Sequence, residues 1–153
     1  MPHDEEPLRP LDRTEELLVR ALGHVMTALP RLVDADMVRD GGLPLSEYTP
    51  LMHLSEAPDR RMRMSELAAA CNLSLSGMTR VVNRLEKQGL IRRAKCQEDL
   101  RGWNAVLTDE GLARLREAWP SHLVSIRRHV LDNLAGHDLA ALAAALRRVA
   151  TAP

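Results

Sequence analysis

The sequence predicts a mainly α-helical fold with one small β-hairpin, and three observations support that prediction. Over most of the 153-residue chain, apolar side chains recur at three- and four-residue steps, which is the period of an amphipathic helix. One region instead has two short runs rich in apolar residues on either side of a polar patch, as in a hairpin. Phenylalanine is absent, so Leu, Ala, Met and Val must fill the core, and these residues suit helices better than strands.

Length and composition are those of one ordinary domain. A chain of 153 residues, 45% hydrophobic and 27% charged, has material for a core and a solvated surface, which argues against wholesale disorder. It contains no apolar run long enough to span a bilayer, and its acidic opening lacks the basic and apolar regions of a secretory signal. We therefore expect a cytoplasmic location.

The N-terminal part is predicted to be a flexible arm, residues 1–11, followed by a helix over residues 12–32. Pro30 should disturb the last turn of that helix, and the Gly41-Gly42 pair should end the segment after it. A second helix is expected over residues 46–55, with either Ser46 or Thr49 as its N-cap. The Thr49 alternative would place a proline at the first helical position, where its missing N–H is harmless.

Two short helices separated by a turn follow. Ser65 opens the first, which reaches Cys71, and Ser74 caps the second, which runs to about residue 88 before Gly89. The second helix carries one apolar stripe, with Val81 beside it, that should face the core: Leu75, Met78, Val82 and Leu85.

The hairpin comes next, and the chain then returns to helices. Its strands are predicted at residues 90–94 and 103–107, around a charged tip at residues 96–102. Thr108 should start a long helix that Pro120 kinks or breaks near Trp119. A final helix should reach about residue 149, with an interruption near Gly136.

Charge is unevenly distributed. Between residues 60 and 103 there are ten Lys or Arg against four Asp or Glu, a formal charge of +6, and the remainder of the chain carries −6. A cationic block in an otherwise acidic protein favours binding to a polyanion. The alternative is an ordinary solvated, charged face.

The order helix, helix, turn, helix, hairpin is typical of a winged helix-turn-helix, and the residues narrow the resemblance. The segment MSELA at residues 64–68, the segment LSLSGMTRVVNRLEKQGLIRR at residues 73–93, and an Asp99-x-Arg101 wing motif before Leu107-Thr108 together resemble the MarR family of transcriptional regulators. The resemblance implies a winged helix-turn-helix DNA-binding region at residues 46–115. The apolar faces of the helices at residues 12–32 and 120–149 exceed what one small winged domain needs to cover. Residues 12–45 and 116–153 are therefore expected to be helical dimerisation regions.

If the apolar stripe faces the core, the opposite face of its helix is free for DNA. Ser76, Thr79 and Arg80 then lie where base edges can be read, and Gly77 would allow close approach. Arg80 or Arg84 could contact guanine, and Lys87 could contact phosphate. The predicted DNA-binding residues are Ser74, Ser76, Gly77, Thr79, Arg80, Asn83, Arg84, Lys87, Arg92, Arg93, Asp99 and Arg101.

At the tip of the wing, Arg101 is placed to probe the minor groove, where negative potential attracts guanidinium, and Asp99 could hold it. The alternative is that the two residues simply pair on a solvated turn. Where many relatives carry Asp-Pro ahead of the tip, this chain has Cys96-Gln97, and Leu100 replaces a residue that is often polar.

Neither cysteine is expected to bind metal. Cys71 should be a packed thiol. Cys96 is expected to be exposed, with a pKa lowered by Arg93, Lys95 and Arg101, which makes redox sensing a minor alternative. No histidine pair closes a metal site, and His122 and His129 should lie at a packing seam.

The predicted function is that of a transcriptional regulator that binds double-stranded DNA as a homodimer on a pseudo-palindromic operator. The resemblance also implies a ligand-responsive repressor, with a small aromatic or phenolic effector bound between the dimer body and the DNA-binding lobes. Candidate lining residues are His24, Tyr48, Met52 and His53, for which plain packing is the alternative. The chain lacks the common catalytic fingerprints, so no enzyme activity, cofactor or metal is predicted. The rival interpretation is a winged-helix protein-interaction module that no longer binds DNA.

Overall fold

The computed structural model describes residues 8–96 and 102–151, and it confirms the predicted helical fold with a small sheet. Within these ranges the chain forms six α-helices and one antiparallel sheet of three strands. The helices are α1 Arg13–Asp36, α2 Leu45–Glu56, α3 Met64–Ala70, α4 Leu75–Lys87, α5 Asp109–Ile126 and α6 Leu139–Thr151. The strands are β1 Arg61–Arg63, β2 Ile91–Lys95 and β3 Trp103–Leu107. Most of the predicted arm, residues 1–7, lies outside the described residues.

Helix α1 starts where the sequence predicts and ends later. The Asp12 carboxylate accepts hydrogen bonds from the N–H groups of Thr14 and Glu15 at 2.8 and 2.9 Å, and the Glu15 carboxylate accepts from the Asp12 N–H at 2.9 Å. This reciprocal capping box satisfies orphan donors at the helix start. The predicted end near residue 32 is wrong, because the helix continues through Pro30 and a π-helical turn, Met37–Gly41, follows it. Burial of apolar side chains in this last part offsets the hydrogen bond that Pro30 cannot donate.

Both predicted caps of α2 are wrong. The helix begins at Leu45, directly after Pro44, so Ser46 already lies inside it and Pro50 is buried within it. The cap comes from another element, because the Asp34 carboxylate of α1 accepts the Leu45 N–H at 2.8 Å. A carboxylate eleven residues away replaces the local Ser or Thr cap.

The helix-turn-helix prediction is confirmed, with one correction. Asn72 adopts a left-handed φ of 53° in the turn between α3 and α4, and the Ser74 hydroxyl caps α4. Leu75, however, is 55% exposed, so its predicted place in the core stripe is wrong. The buried face of α4 consists of Met78, Val81, Val82 and Leu85.

The predicted hairpin is present, and a third strand accompanies it. β3 is the central strand, paired with β2 from Ile91↔Leu107 to Lys95↔Trp103 and with β1 from Arg61↔Val106 to Arg63↔Asn104. Sequence patterning missed β1 because a three-residue strand with two arginines has no apolar run that would mark it.

The C-terminal helices depart from the prediction at Pro120. The Thr108 hydroxyl caps α5 by accepting the Gly111 N–H at 2.9 Å, as expected. Of the kink or break predicted at Pro120, the break is wrong, since α5 passes through Pro120 and ends only at Ile126. The kink stays a prediction. The predicted interruption before the last helix is confirmed, because α6 begins after a turn in which Gly136 has a φ of +85°.

The core lies between the end of α1, helices α2 to α5 and the sheet. The backbone packs tightly against it at Gly111, where an added Cβ would lie 2.1 Å from the Leu90 carbonyl oxygen and 2.7 Å from the Leu107 Cδ1 atom. Any larger residue would separate the start of α5 from the sheet.

No helix in the described part of the chain is both long enough and apolar enough to cross a membrane.

Candidate nucleic-acid interface

The outward face of α4 and the adjacent strand β2 form a cationic surface. Arg80, Lys87 and Arg92 are exposed there, and none of their side chains has a hydrogen-bond or ion-pair partner within residues 8–96 and 102–151. Their positive charges face solvent, because the opposite side of α4 is taken up by the core. The three residues are therefore available to an anionic partner, as the sequence predicts.

The first turn of α4 uses most of its hydroxyl groups for its own structure. The Ser74 Oγ atom accepts the Gly77 N–H at 3.1 Å and lies 3.1 Å from the Ser76 Oγ atom. The Thr79 hydroxyl donates to the Leu75 carbonyl at 2.8 Å. An added Cβ on Gly77 would lie 3.2 Å from the Ser74 Oγ atom, so this glycine also leaves room for the cap.

Arg84 connects α4 to α2. Its Nε atom lies 3.1 Å from a carboxylate oxygen of Glu47, and the Gln88 side chain reaches the other oxygen at 3.5 Å. Glu47 is buried, whereas the Arg84 side chain is half-exposed. A buried carboxylate needs such a partner, so we assign Arg84 first to fixing α4 on α2. Sequence reasoning missed this role because Glu47 precedes Arg84 by 37 residues.

Asn83 and Arg93 join α4 to strand β2 of the wing. The Arg93 guanidinium donates a hydrogen bond to the Asn83 side-chain oxygen. The Arg93 N–H donates to the Glu86 carboxylate at 3.2 Å, and the Arg93 Nε atom lies 3.8 Å from that carboxylate. These contacts hold β2 against α4, so both elements present their cations with a fixed relative orientation.

A cleft of about 320 Å³ opens between the start of α4 and the base of the wing. Its lining residues are Arg63, Met64, Ser65, Leu75, Thr79, Arg93, Gly102 and Trp103. The Lys95 ammonium lies 5.9 Å from the centroid of the half-exposed Trp103 ring. The cleft therefore combines apolar walls with positive charge.

Two predicted wing residues, Asp99 and Arg101, lie outside the described residues, as does Leu100. Cys96 lies just before the gap, and it is only 6% exposed, which corrects the expected exposed thiol. Burial removes the access that redox sensing would require at this position. Cys71 is half-buried, and burial raises the pKa of its thiol, as expected for a packing residue.

The four predicted effector-binding residues have different environments. Tyr48 is buried and stacks on His122 of α5 with ring centroids 4.5 Å apart, and its hydroxyl has no hydrogen-bond partner among the described residues. Met52 packs against the core, His53 is half-buried, and His24 is exposed on α1. None of them lines the cleft beside the wing, nor a second cleft of about 430 Å³ between α1, α2 and the turn before α4.

A buried carboxylate joins the end of α1 to the end of α5. Asp36 accepts hydrogen bonds from the Ser125 hydroxyl at 2.9 Å and from Arg39 at 2.6 Å, and His129 Nε2 lies 2.9 Å away. Arg39, Ser125 and His129 hold the pKa of this carboxyl far below its ordinary value, because each favours the ionised form. His129 thus lies at a packing seam, as predicted, and so does His122 against Tyr48.

No group of three or more His, Cys, Asp or Glu residues with the spacing of a metal site occurs among residues 8–96 and 102–151.

Comparison with known proteins identifies the family. A sequence profile described as the MarR family matches residues 41–102, which contain the helix-turn-helix and most of the wing. Over the whole fold, the chain is 38% identical to Sco3205 of Streptomyces coelicolor, a MarR family transcriptional regulator solved in complex with DNA. The match covers 94% of this chain and 90% of that one, with a TM-score of 0.83.

The chain belongs to the MarR family of transcriptional regulators. A second member, AbsC of Streptomyces coelicolor, is 39% identical, with 94% of this chain and 96% of that chain covered and a TM-score of 0.82. The HTH-type transcriptional repressor YetL of Bacillus subtilis (strain 168) is 32% identical over 97 residues. That match includes 63% of this chain and 58% of YetL, so it spans little more than half of the repressor.

Proposed function

We propose that this MarR family protein is a sequence-specific DNA-binding transcriptional regulator that acts as a homodimer on a pseudo-palindromic operator. One observation carries the proposal. The side chains of Arg80, Lys87 and Arg92 are unpaired among the described residues, on a helix and a wing strand that are joined by hydrogen bonds of Arg93 to Asn83 and Glu86. A rigid cationic helix fits the major groove, and an adjacent wing strand can follow the phosphate backbone.

The relatives support the same function. Sco3205 was solved with DNA, and YetL is described as a transcriptional repressor. A repressor that blocks transcription by occupying a promoter needs only a DNA-binding surface such as the one described above. Repression is therefore part of the proposal.

The apolar side chains of the terminal helices support the homodimer. Helix α6 has no buried residue, and the N-terminal twenty residues of α1 have none. Large apolar side chains on these helices are exposed: Leu17, Leu18, Val25, Met26, Leu139, Leu142, Leu146 and Val149. Exposed apolar side chains on one helix face are typical of an interaction surface, and a second copy of the chain would remove them from water.

A small aromatic or phenolic effector stays a prediction. The buried Tyr48 hydroxyl and its stacked His122 partner lie where α2 meets α5. The protein would exchange between a conformation that binds DNA and one that does not. An effector would release DNA only if its affinity were higher for the second conformation than for the first. A panel of aromatic acids, followed by melting temperature and by release of DNA, tests this prediction.

The test of the main proposal measures binding to a labelled duplex from the gene's own upstream region and to a scrambled duplex, over a salt series. We expect tight binding to the first duplex with a stoichiometry of two chains, and an affinity that falls steeply with salt. A triple variant, Arg80→Ala, Lys87→Ala and Arg92→Ala, should lose this binding.

A matched variant controls for net charge. Arg13, Arg116 and Arg127 are exposed outside the cationic surface, so changing these three to alanine removes the same charge and should preserve operator binding. If the wild type binds neither duplex better than the triple variant does, the proposed DNA-binding function is contradicted and the protein-interaction module becomes the favoured interpretation.

A further inference from the structure

Leu75 is an apolar side chain in an unexpected place. It is the first residue of α4 after the Ser74 cap, and it is 55% exposed, whereas the other large apolar residues of the helix are buried. Packing within the chain therefore does not account for a leucine at this position.

The surroundings of Leu75 match nucleic acid. Arg63 and Arg93 line the same cleft, so the exposed leucine shares it with two cationic side chains. Thr79, one turn later on the same face, donates its hydroxyl to the Leu75 carbonyl at 2.8 Å. The Thr79 hydroxyl proton is therefore not available to a partner. The Leu75 side chain is an exposed apolar group in the first turn of α4, and it lies in a cleft that also contains cationic side chains.

The first turn of a recognition helix meets the base edges of the major groove. Those edges present hydrogen-bond donors and acceptors, with one apolar group among them, the C5-methyl of thymine. We propose that Leu75 contacts a thymine methyl group and so contributes to operator specificity. This inference rests on the proposed DNA-binding function.

The experiment removes the methyl group from DNA and the leucine from the protein. Duplexes that bind the wild-type chain are selected from a random pool, and each thymine of the selected site is replaced in turn by deoxyuridine, which lacks only the C5-methyl. At one symmetric pair of positions, we expect each lost methyl to weaken wild-type binding about fourfold, the effect of removing one buried methylene-sized group from an apolar contact.

The Leu75→Ala variant should lose this discrimination and bind the thymine and uracil duplexes with equal affinity. Leu73→Ala is the matched control, because Leu73 is also an exposed leucine but lines the cleft on the other side of the turn. That variant should discriminate as the wild type does. Circular dichroism would confirm that both variants remain folded.

The outcomes separate the two proposals. If the wild type selects no duplex, the proposed function fails and the inference fails with it. If duplexes are selected but uracil is tolerated at every position, or Leu75→Ala still discriminates against it, only the assignment of Leu75 is overturned.

Discussion

The winged lobe and the terminal helices use apolar residues in opposite ways. In the lobe, α2 to α4, the sheet and the start of α5 enclose Leu51, Leu67, Met78, Leu85 and Ile91 with almost no exposure. On α6 and the first part of α1, apolar side chains recur at the same helical spacing and face solvent.

The difference shows that helical periodicity predicts an apolar face but does not identify what covers it. The lobe covers its own face, which makes it a rigid platform for the cationic surface. The terminal helices leave theirs open, which is why the proposed homodimer assigns them to a second copy of the chain. Asp36 lies between the two regions and fixes the end of α1 to the end of α5.

Removing residues 135–153 should give the largest effect. The lobe should remain folded because none of its core residues lies in this segment. Dimer formation should weaken, and operator affinity should fall by about 10²–10⁴-fold because the two half-sites would be bound independently. Analytical ultracentrifugation and binding titrations measure both effects. A truncated chain that stays dimeric with full affinity would contradict the proposed role of α6.

Gly111→Ala should damage the lobe itself. The added methyl would overlap the Leu90 carbonyl oxygen, 2.1 Å from the new carbon, so we expect a loss of about 1–3 kcal/mol or more in the free energy of unfolding. Chemical denaturation provides the measurement.

Gly23→Ala is the matched control in the other region. Nothing within the chain lies within 4 Å of the position of its Cβ, and alanine favours a helix by about 1 kcal/mol over glycine. This variant should be as stable as the wild type or more so. If Gly111→Ala and Gly23→Ala lost equal amounts of unfolding free energy, the distinction between a packed lobe and solvent-exposed terminal helices would be contradicted.

Arg80→Ala and Lys87→Ala should separate base reading from phosphate contact within the lobe. Arg80 lies nearer the start of α4, so its loss should cost about 1–3 kcal/mol of binding and relax preference at one symmetric position. Loss of Lys87 should weaken binding to all sequences and reduce the salt slope by about one per phosphate contact. Titrations on operator and scrambled DNA over a salt series measure both. Identical profiles for the two variants would show that Arg80 reads no base.

The smallest effect concerns pH. Burial lowers the pKa of His122 below its ordinary value of 6.5, so the folded state disfavours the protonated ring. The stability that the neutral His122 ring contributes to the folded state is therefore fully present above pH 6.5. This stability is lost as pH falls below 6.5 and through the lower pKa of the folded state. Melting temperature should therefore fall less between pH 7 and pH 5 in His122→Phe, which keeps a ring against Tyr48, than in the wild type. The exposed His137→Asn variant should behave as the wild type does.

Local features of the sequence were enough to predict much of the fold. Ser74 and Thr108 cap α4 and α5, and Gly89 ends the recognition helix with a φ of +74°. These features depend on a few neighbouring residues, so spacing along the chain reveals them. The exposure of Arg80 and Lys87 likewise follows from the period of one helix.

The rest was decided by contacts between distant parts of the chain. Asp34 caps α2, Glu47 accepts a hydrogen bond from Arg84, and Asp36 accepts a hydrogen bond from Ser125 near the end of α5. No local pattern contains both members of such a pair, because hydrogen bonds and ion pairs form wherever packing brings the groups together.

Burial is likewise a property of the tertiary structure. Sequence periodicity put Leu75 in the core, and a place in the polar tip of the predicted hairpin put Cys96 in solvent. The packed structure reverses both. The sequence alone determined which residues share a face of each helix. Only packing decided which faces were covered, because burial depends on neighbouring elements whose positions a one-dimensional pattern does not contain.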